Sequence, residues 1–255
     1  MTVIPKSHPR AKSLFIREKL VSGFDKGLVA KEGLLAQGRG EAFDYLLGEK
    51  TGKGAKQAIK AAAAQLLLAQ NPVISVNGNI AALCPKEIVK LSKQVKAKLE
   101  VNLFYTNNKR KRAIVNILKN NGAKEVLGTN PSQSTRLSGI DSNRRIVDKN
   151  GIFSGDVIVV PLEDGDRTNA LRKAGKIVIT FDLNPLSRTA ETANITIVDN
   201  VTRAIDLLII ECKKLSKRNE KGLEKIIQNF DNKQNIKTSI IEIKNNLTKR
   251  GNKIA

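Results

Sequence analysis

Three short apolar runs in the middle of the chain, residues 157–161, 176–181 and 194–198, are rich in Val and Ile and show no alternation with polar positions. Runs this short and this continuous predict strands buried on both faces. Helical stretches over 167–174, closed by Gly175, and over 186–193 separate them. Strand, helix, strand, helix, strand with short loops is the pattern of a parallel sheet covered on both sides. The same alternation precedes it: strands over 73–76 and 99–104 and a weak third over 125–127, joined by helices over 86–95 and 109–120. Together they predict a Rossmann-like, doubly wound α/β fold with a mainly parallel six-stranded sheet in the order 3-2-1-4-5-6.

Helices flank this core on both sides in sequence. A helix over 11–23 carries Leu14, Arg17 and Val21 at i, i+3 and i+7, so Arg17 stands in an apolar row and either snorkels outward or reaches a buried anion. A second covers 29–36. It is expected to break at Gly38-Arg39-Gly40, resume from Glu41 to Leu47 and stop at Gly48. The glycines either let Arg39 approach a ligand beside the positive end of the resumed helix or mark a plain corner. Residues 54–70 are alanine-rich and helical, ended by Asn71-Pro72. From 201 the chain is helical with a break near 229–235. Residues 129–150 are polar, hold Pro131, Gly139 and three arginines, and are long for a loop, which predicts an excursion, a lid or a dimer contact. No linker divides the chain, so a single α/β domain is expected: an N-terminal helical region 1–72, a core 73–200 and C-terminal helices 201–255.

In such a sheet ligands bind at the carboxyl ends of the strands, at the point where the strand order reverses. That puts Asn77-Gly78-Asn79 opposite residues 162–167, with Glu163, Asp164, Asp166 and Arg167 on the rim. A nicotinamide dinucleotide is disfavoured, because the first strand is not followed by G-x-G-x-x-G and Phe104-Tyr105-Thr106 after the second holds no acid for a ribose. Residues 48–54 are glycine-rich but lack the spacing of a phosphate loop and follow no strand. In the second half, Asp182 at a strand end suits ribose hydroxyls and Arg188 suits a phosphate. Asp182 and Asp199 also suit the caps of the helices that follow them.

Charge widens the field. Lys and Arg number 45 against 24 Asp and Glu, a formal net charge of +21 among 255 residues. Nucleic-acid binding is the resulting alternative, a basic Rossmann-like protein without catalytic activity. Aromatic residues at 4% and the absence of Trp argue against single-strand stacking. His8 is the sole histidine, which excludes a His-rich metal centre and disfavours His-based triads, and Cys84 and Cys212 lack metal-site spacing. Residues 1–6 hold no apolar signal core, and no run approaches the roughly 20 apolar residues of a membrane span, so a cytoplasmic location is expected.

Five motifs then stand in one order: Ile4-Pro5-Lys6-Ser7-His8-Pro9-Arg10, Gly38-Arg39-Gly40-Glu41-Ala42-Phe43-Asp44-Tyr45-Leu46, Ser75-Val76-Asn77-Gly78-Asn79, residues 161–168 and residues 182–188. Over about residues 4–230 the chain resembles archaeal phosphopantothenate synthetase, the 4-phosphopantoate–β-alanine ligase family, diverging at 52–54 and 132–145. The resemblance implies condensation of 4-phosphopantoate with β-alanine to 4′-phosphopantothenate in coenzyme A biosynthesis, with ATP converted to AMP and diphosphate, by a homodimer with a Rossmann-like core. It implies ATP contacts at Arg17, Arg39, Asp182, Leu183, Asn184, Arg188, Thr189, Asn200 and Val201. The switch-point reading assigns the substrate to Asn77, Gly78, Asn79 and Arg167. Arg39, Glu163, Asp164 and Asp166 form the catalytic set, an acyl adenylate is the expected intermediate, and a carboxylate of that set would hold Mg²⁺ or the β-alanine ammonium.

Overall fold

The computed structural model describes residues 4, 5 and 7–254, so Lys6 of the opening motif and the first three residues of the expected signal-free terminus lie outside the described residues. Eleven α-helices and seven strands are described. In chain order they are α1 (Ala11–Asp25), α2 (Lys31–Leu47), α3 (Lys53–Leu68), β1 (Val73–Val76), α4 (Gly78–Leu83), α5 (Pro85–Val95), β2 (Lys98–Val101), α6 (Asn108–Asn120), β3 (Ser134–Arg136), β4 (Ile146–Asp148), β5 (Val157–Val159), α7 (Gly165–Lys173), β6 (Ile177–Phe181), α8 (Arg188–Thr192), β7 (Ile195–Ile197), α9 (Val201–Leu215), α10 (Glu220–Gln228) and α11 (Asn232–Ile254). Five strands form a parallel sheet in the order β2-β1-β5-β6-β7. The reversal between β1 and β5 falls where the sequence predicts it.

The expected sixth strand, 125–127, shrinks to one parallel bridge between Glu100 and Leu127 beside β2. Gly128 is the cause. Its φ of +91° turns the chain away, and a Cβ there would stand 2.4 Å from the Val101 carbonyl oxygen. The order 3-2-1-4-5-6 therefore survives, with five full strands.

Strand residues alternate between two buried layers. Val157, Val159, Ile179 and Phe181 face the layer built by α3, α5, α6 and α9, whereas Val73, Ile158, Val160 and Val178 face Leu137, Ile140, Val147, Ile152 and Leu171. Both layers are apolar, which is why the strand segments read as continuous hydrophobic runs. The alanines of α3 are buried and let that helix lie close against α9, α10 and β7. At the sheet edge, Asn232 of α11 accepts from Thr196 N at 2.8 Å and Asn235 donates to Thr196 O at 2.8 Å, closing the free side of β7.

Residues 129–150 are the larger surprise. They contain the antiparallel pair β3–β4, and Val147 of β4 together with Leu137 and Ile140 of the connection between the two strands joins the second layer. One buried acid anchors this excursion. Glu100, in the middle of β2 and fully buried, accepts from Asp148 N at 3.0 Å and Ile152 N at 2.6 Å. Gly151 makes room for it, since a Cβ there would lie 2.1 Å from the carboxylate.

Burial pushes the Glu100 carboxyl up to about 7, against the two backbone donors that favour its charged form. A raised carboxyl stabilises the fold fully below its unfolded value, and that contribution is lost as pH rises through about 7. Glu100→Gln is expected to lower the melting temperature at pH 5 by more than at pH 8. A gap between the two proteins that widens towards pH 8 would contradict this.

Candidate functional site

A cleft of about 540 Å³ opens at the carboxyl ends of β1, β2, β5 and β6. Its walls come from α2 (Arg39, Gly40), the start of α4 (Asn77, Gly78, Asn79), the segment after β2 (Leu103, Phe104, Tyr105), Arg110 of α6, Arg144, residues 162–165, residues 182–184 and residues 187–189. Of the residues expected at the site, Arg39, Asn77, Gly78, Asn79, Glu163, Asp164, Asp182, Leu183, Asn184, Arg188 and Thr189 line it. Arg17, Asp166, Arg167, Asn200 and Val201 do not.

The floor is a buried ion cluster. The Glu163 side chain, 1% exposed, receives Arg144 Nη1 at 2.9 Å and also Arg167 Nη1. Burial would raise the Glu163 carboxyl, but Arg144 and Arg167 outweigh it and hold it below its ordinary value. Arg167 has no exposure and donates to Ser75 Oγ at 3.1 Å, so it braces Glu163 from beneath the floor rather than facing the cleft. Asp164 caps α7 by accepting from Arg167 N at 2.8 Å. Its Oδ2 lies 3.3 Å from Arg144 Nε, yet neither atom has a hydrogen-bond partner. Burial and the adjoining Glu163 raise the Asp164 carboxyl.

Backbone strain accompanies the floor. Leu162 has φ +52°, a left-handed conformation that is costly outside glycine and recurs at ligand sites. Asn77 secures it, donating to Pro161 O at 2.8 Å and Leu162 O at 3.3 Å while capping α4 through Ile80 N at 3.1 Å. Asn79 likewise donates to Gly33 O at 2.8 Å. Gly78 is required for packing: a Cβ there would stand 2.2 Å from Leu28 O.

The β6 side holds the remaining polar groups. Asp182 accepts from Asn184 N at 2.9 Å and from Ser187 Oγ, and Ser187, not Asp182, caps α8. Burial raises the Asp182 carboxyl, opposed by these donors and by the nearby positive charge of Arg39. Arg188 is exposed and pairs with the exposed Asp166 at 2.6 Å. Similarly Asn200, not Asp199, caps α9. Asp199 instead joins a second buried network: Arg203 bridges it at 2.5 Å to Asp44 at 2.6 Å, and Asn200 donates to Asp44 at 3.0 Å.

The glycine corner expected in the second helix does not exist. α2 runs unbroken through Gly38 and Gly40, because Gln37, Glu41, Asp44 and Leu47 form its buried face, and it ends at Gly48, whose φ is +82°. Arg39 thus projects from a helix, not a turn. The buried anion that Arg17 reaches is Glu41, held by two bonds of 2.9 Å and shared with Tyr45.

Arg144, Arg110, Asp44, Arg203 and Glu100 escaped notice in the sequence. Glu100 and Asp44 carried a readable signal, a charge within an apolar strand and one on a helix face between Glu41 and Leu47. Arg144 and Arg110 carried none, since only tertiary folding brings them to the cleft.

Residues 54–246 match the model of the phosphopantothenate/pantothenate synthetase family. The chain is 51% identical over 250 residues to the 4-phosphopantoate–β-alanine ligase of Thermococcus onnurineus, covering 98% of this chain and 95% of that one. It is 50% identical over 250 residues to the enzyme of that name from Thermococcus kodakarensis, with 98% and 95% covered. A third, from Methanosarcina mazei, is 50% identical over 247 residues, with 97% and 96% covered.

Gly38 distinguishes a helix from a ligand-cradling corner. A Cβ there would meet nothing within 4 Å, so Gly38→Ala is expected to raise stability by about 0.5–1 kcal/mol with turnover retained. Denaturant unfolding and steady-state rates check both halves, and a loss of turnover in a stabilised variant would restore a ligand role for this glycine.

Proposed function

The chain belongs to the phosphopantothenate/pantothenate synthetase family, and from that membership we propose that it joins 4-phosphopantoate to β-alanine, consuming ATP and releasing AMP and diphosphate. The observation that carries the reading is near-complete coverage by ligases at about half identity, coupled to a cleft at the switch point. The product, 4′-phosphopantothenate, serves coenzyme A biosynthesis in the cytoplasm.

The nucleotide takes the β6 side of the cleft. Asp182 accepts from the ribose hydroxyls, Leu183, Asn184 and Thr189 enclose the nucleoside, and Arg39 and Arg188 bear on the phosphates. Arg17, Asn200 and Val201 act from outside the lining, Arg17 by fixing Glu41 of α2 and Asn200 by tying α9 to Asp44 of the same helix. The pantoate carboxylate attacks the α-phosphorus to give an acyl adenylate, and the β-alanine amine displaces AMP. Negative charge grows on the phosphate oxygens in the first step, so preorganised arginines lower that barrier. Asp164, whose carboxylate lines the cleft beside Arg144, would hold the β-alanine ammonium or the magnesium of ATP. Among the described residues no group of three Asp, Glu, His or Cys is placed to hold a metal, which fits magnesium carried by phosphates and at most one or two carboxylates. Bound there, magnesium would neutralise phosphate charge.

The homodimer is also part of this proposal. Exposed Ile210, Ile241 and Leu247 are apolar surface available to a second copy, and light scattering reads the mass directly.

AMP formation is expected only with ATP, 4-phosphopantoate and β-alanine together. AMP release independent of both co-substrates, or none under any condition beside salt-sensitive RNA binding, would favour the nucleic-acid alternative. Asp182→Asn can still accept from Asn184 N, with the bond to Ser187 reversed so that the amide donates to Oγ, but it removes the charge, so the apparent Michaelis constant for ATP is expected to rise about 10- to 100-fold. The melting temperature is expected to change little. Since burial raises the Asp182 carboxyl, wild-type affinity for ATP is expected to weaken as pH falls through that raised value, and the Asn variant to lose this dependence.

A further inference from the structure

Arg110 is a cation that the nucleotide assignment leaves unused. It stands in the first turn of α6, half-buried, and lines both the cleft and an adjoining hollow of about 500 Å³ beside Tyr105 and Ser142. Its guanidinium donates to Tyr105 O and, at 3.4 Å, to Leu28 O. Two backbone carbonyls therefore orient the fork, and among the described residues no carboxylate forms an ion pair with it. Arg144 and Arg188, by contrast, are each paired. A partly desolvated, oriented guanidinium without a counter-ion is a receptor for an anion, and its planar fork suits a phosphate.

Position then identifies the anion. Arg110 belongs to the β2 end of the cleft, and β2 lies three strands from β6 in the sheet order. At about 4.8 Å per strand, that is roughly 14 Å from the Asp182 side. In the reaction proposed above, on which this inference rests, the carboxylate of 4-phosphopantoate must meet the nucleotide. The phosphate is at the opposite end of that molecule and so points away from it. Of the acids on these walls, Glu163 and Asp164 are paired with Arg144 and Asp182 is on the β6 side; Glu32 and Asp141 remain, and Glu32 favours the charged guanidinium only at longer range. They oppose a triphosphate more strongly than a single phosphate.

We propose that Arg110 binds the phosphate of 4-phosphopantoate at the β2 end of the cleft and so makes the enzyme select the phosphorylated acid over pantoate.

Steady-state kinetics of the full-length wild type and Arg110→Ala test this, with each of the three substrates varied and pantoate added as a competitor. The Michaelis constant for 4-phosphopantoate is expected to rise about 10- to 100-fold, with those for ATP and β-alanine unchanged. Inhibition by pantoate, which lacks the phosphate, should be the same in both proteins. Arg110→Lys should fall between them, and it carries the same comparison if the alanine variant does not fold. A rise confined to β-alanine would assign Arg110 to that substrate's carboxylate, and one confined to ATP would assign it to the triphosphate. Either result, or unchanged constants, overturns the proposal. A wild type that forms no AMP from the three substrates would instead remove the parent reading.

Discussion

The buried carboxylate of Glu163 is the constraint on which the cleft depends. It follows a strained residue at the end of β5, at the point where the strand order reverses, and its charge is held by Arg167 below and Arg144 from the excursion over 129–150. Burying such a charge is unfavourable unless it is paired, and removing one partner of a buried pair costs about 3–5 kcal/mol. Two segments, 163–167 and the excursion that carries Arg144, must therefore come together for these charges to be stable there. Ser75 and Asn77 add β1 to the same knot. The result is a rigid floor with charged groups already in place, which a reaction building charge on phosphate oxygens requires.

From that floor the cleft extends in two directions. Towards β6 lie Asp182 and the exposed arginines Arg39 and Arg188; towards β2 lie Arg110 and the two exposed aromatic residues Phe104 and Tyr105. The excess of basic residues has a place in this picture, since both phosphorylated substrates are polyanions and a positive field raises their encounter rate. The same charge explains why nucleic-acid binding competes as a reading of composition alone.

Much of the architecture was legible in the sequence, because a sheet covered on both faces leaves unmistakable apolar runs, and strand ends at a switch point select the loops of a site. The losses have local causes. Gly38 and Gly40 looked like a helix break, but a buried face of Gln37, Glu41, Asp44 and Leu47 outweighs the propensity of two glycines. The weak third strand was cut to one bridge by the left-handed Gly128. Residues 129–150 read only as an excursion, a lid or a dimer contact because the partner that orders them, Glu100, lies in another segment. Asp182 and Asp199 looked like helix caps, a role that Ser187 and Asn200 hold instead. Arg144 and Arg110 resembled any surface arginine until folding brought them to the cleft.

The central claim is that the pantoate carboxylate, held over the Glu163 floor, attacks the α-phosphorus of ATP. Isotope transfer tests it most directly. With 4-phosphopantoate labelled with ¹⁸O in its carboxylate, a single turnover should place one labelled oxygen in AMP and none in diphosphate. Label recovered in diphosphate, with AMP unlabelled, would mean attack at the β-phosphorus and would contradict the account.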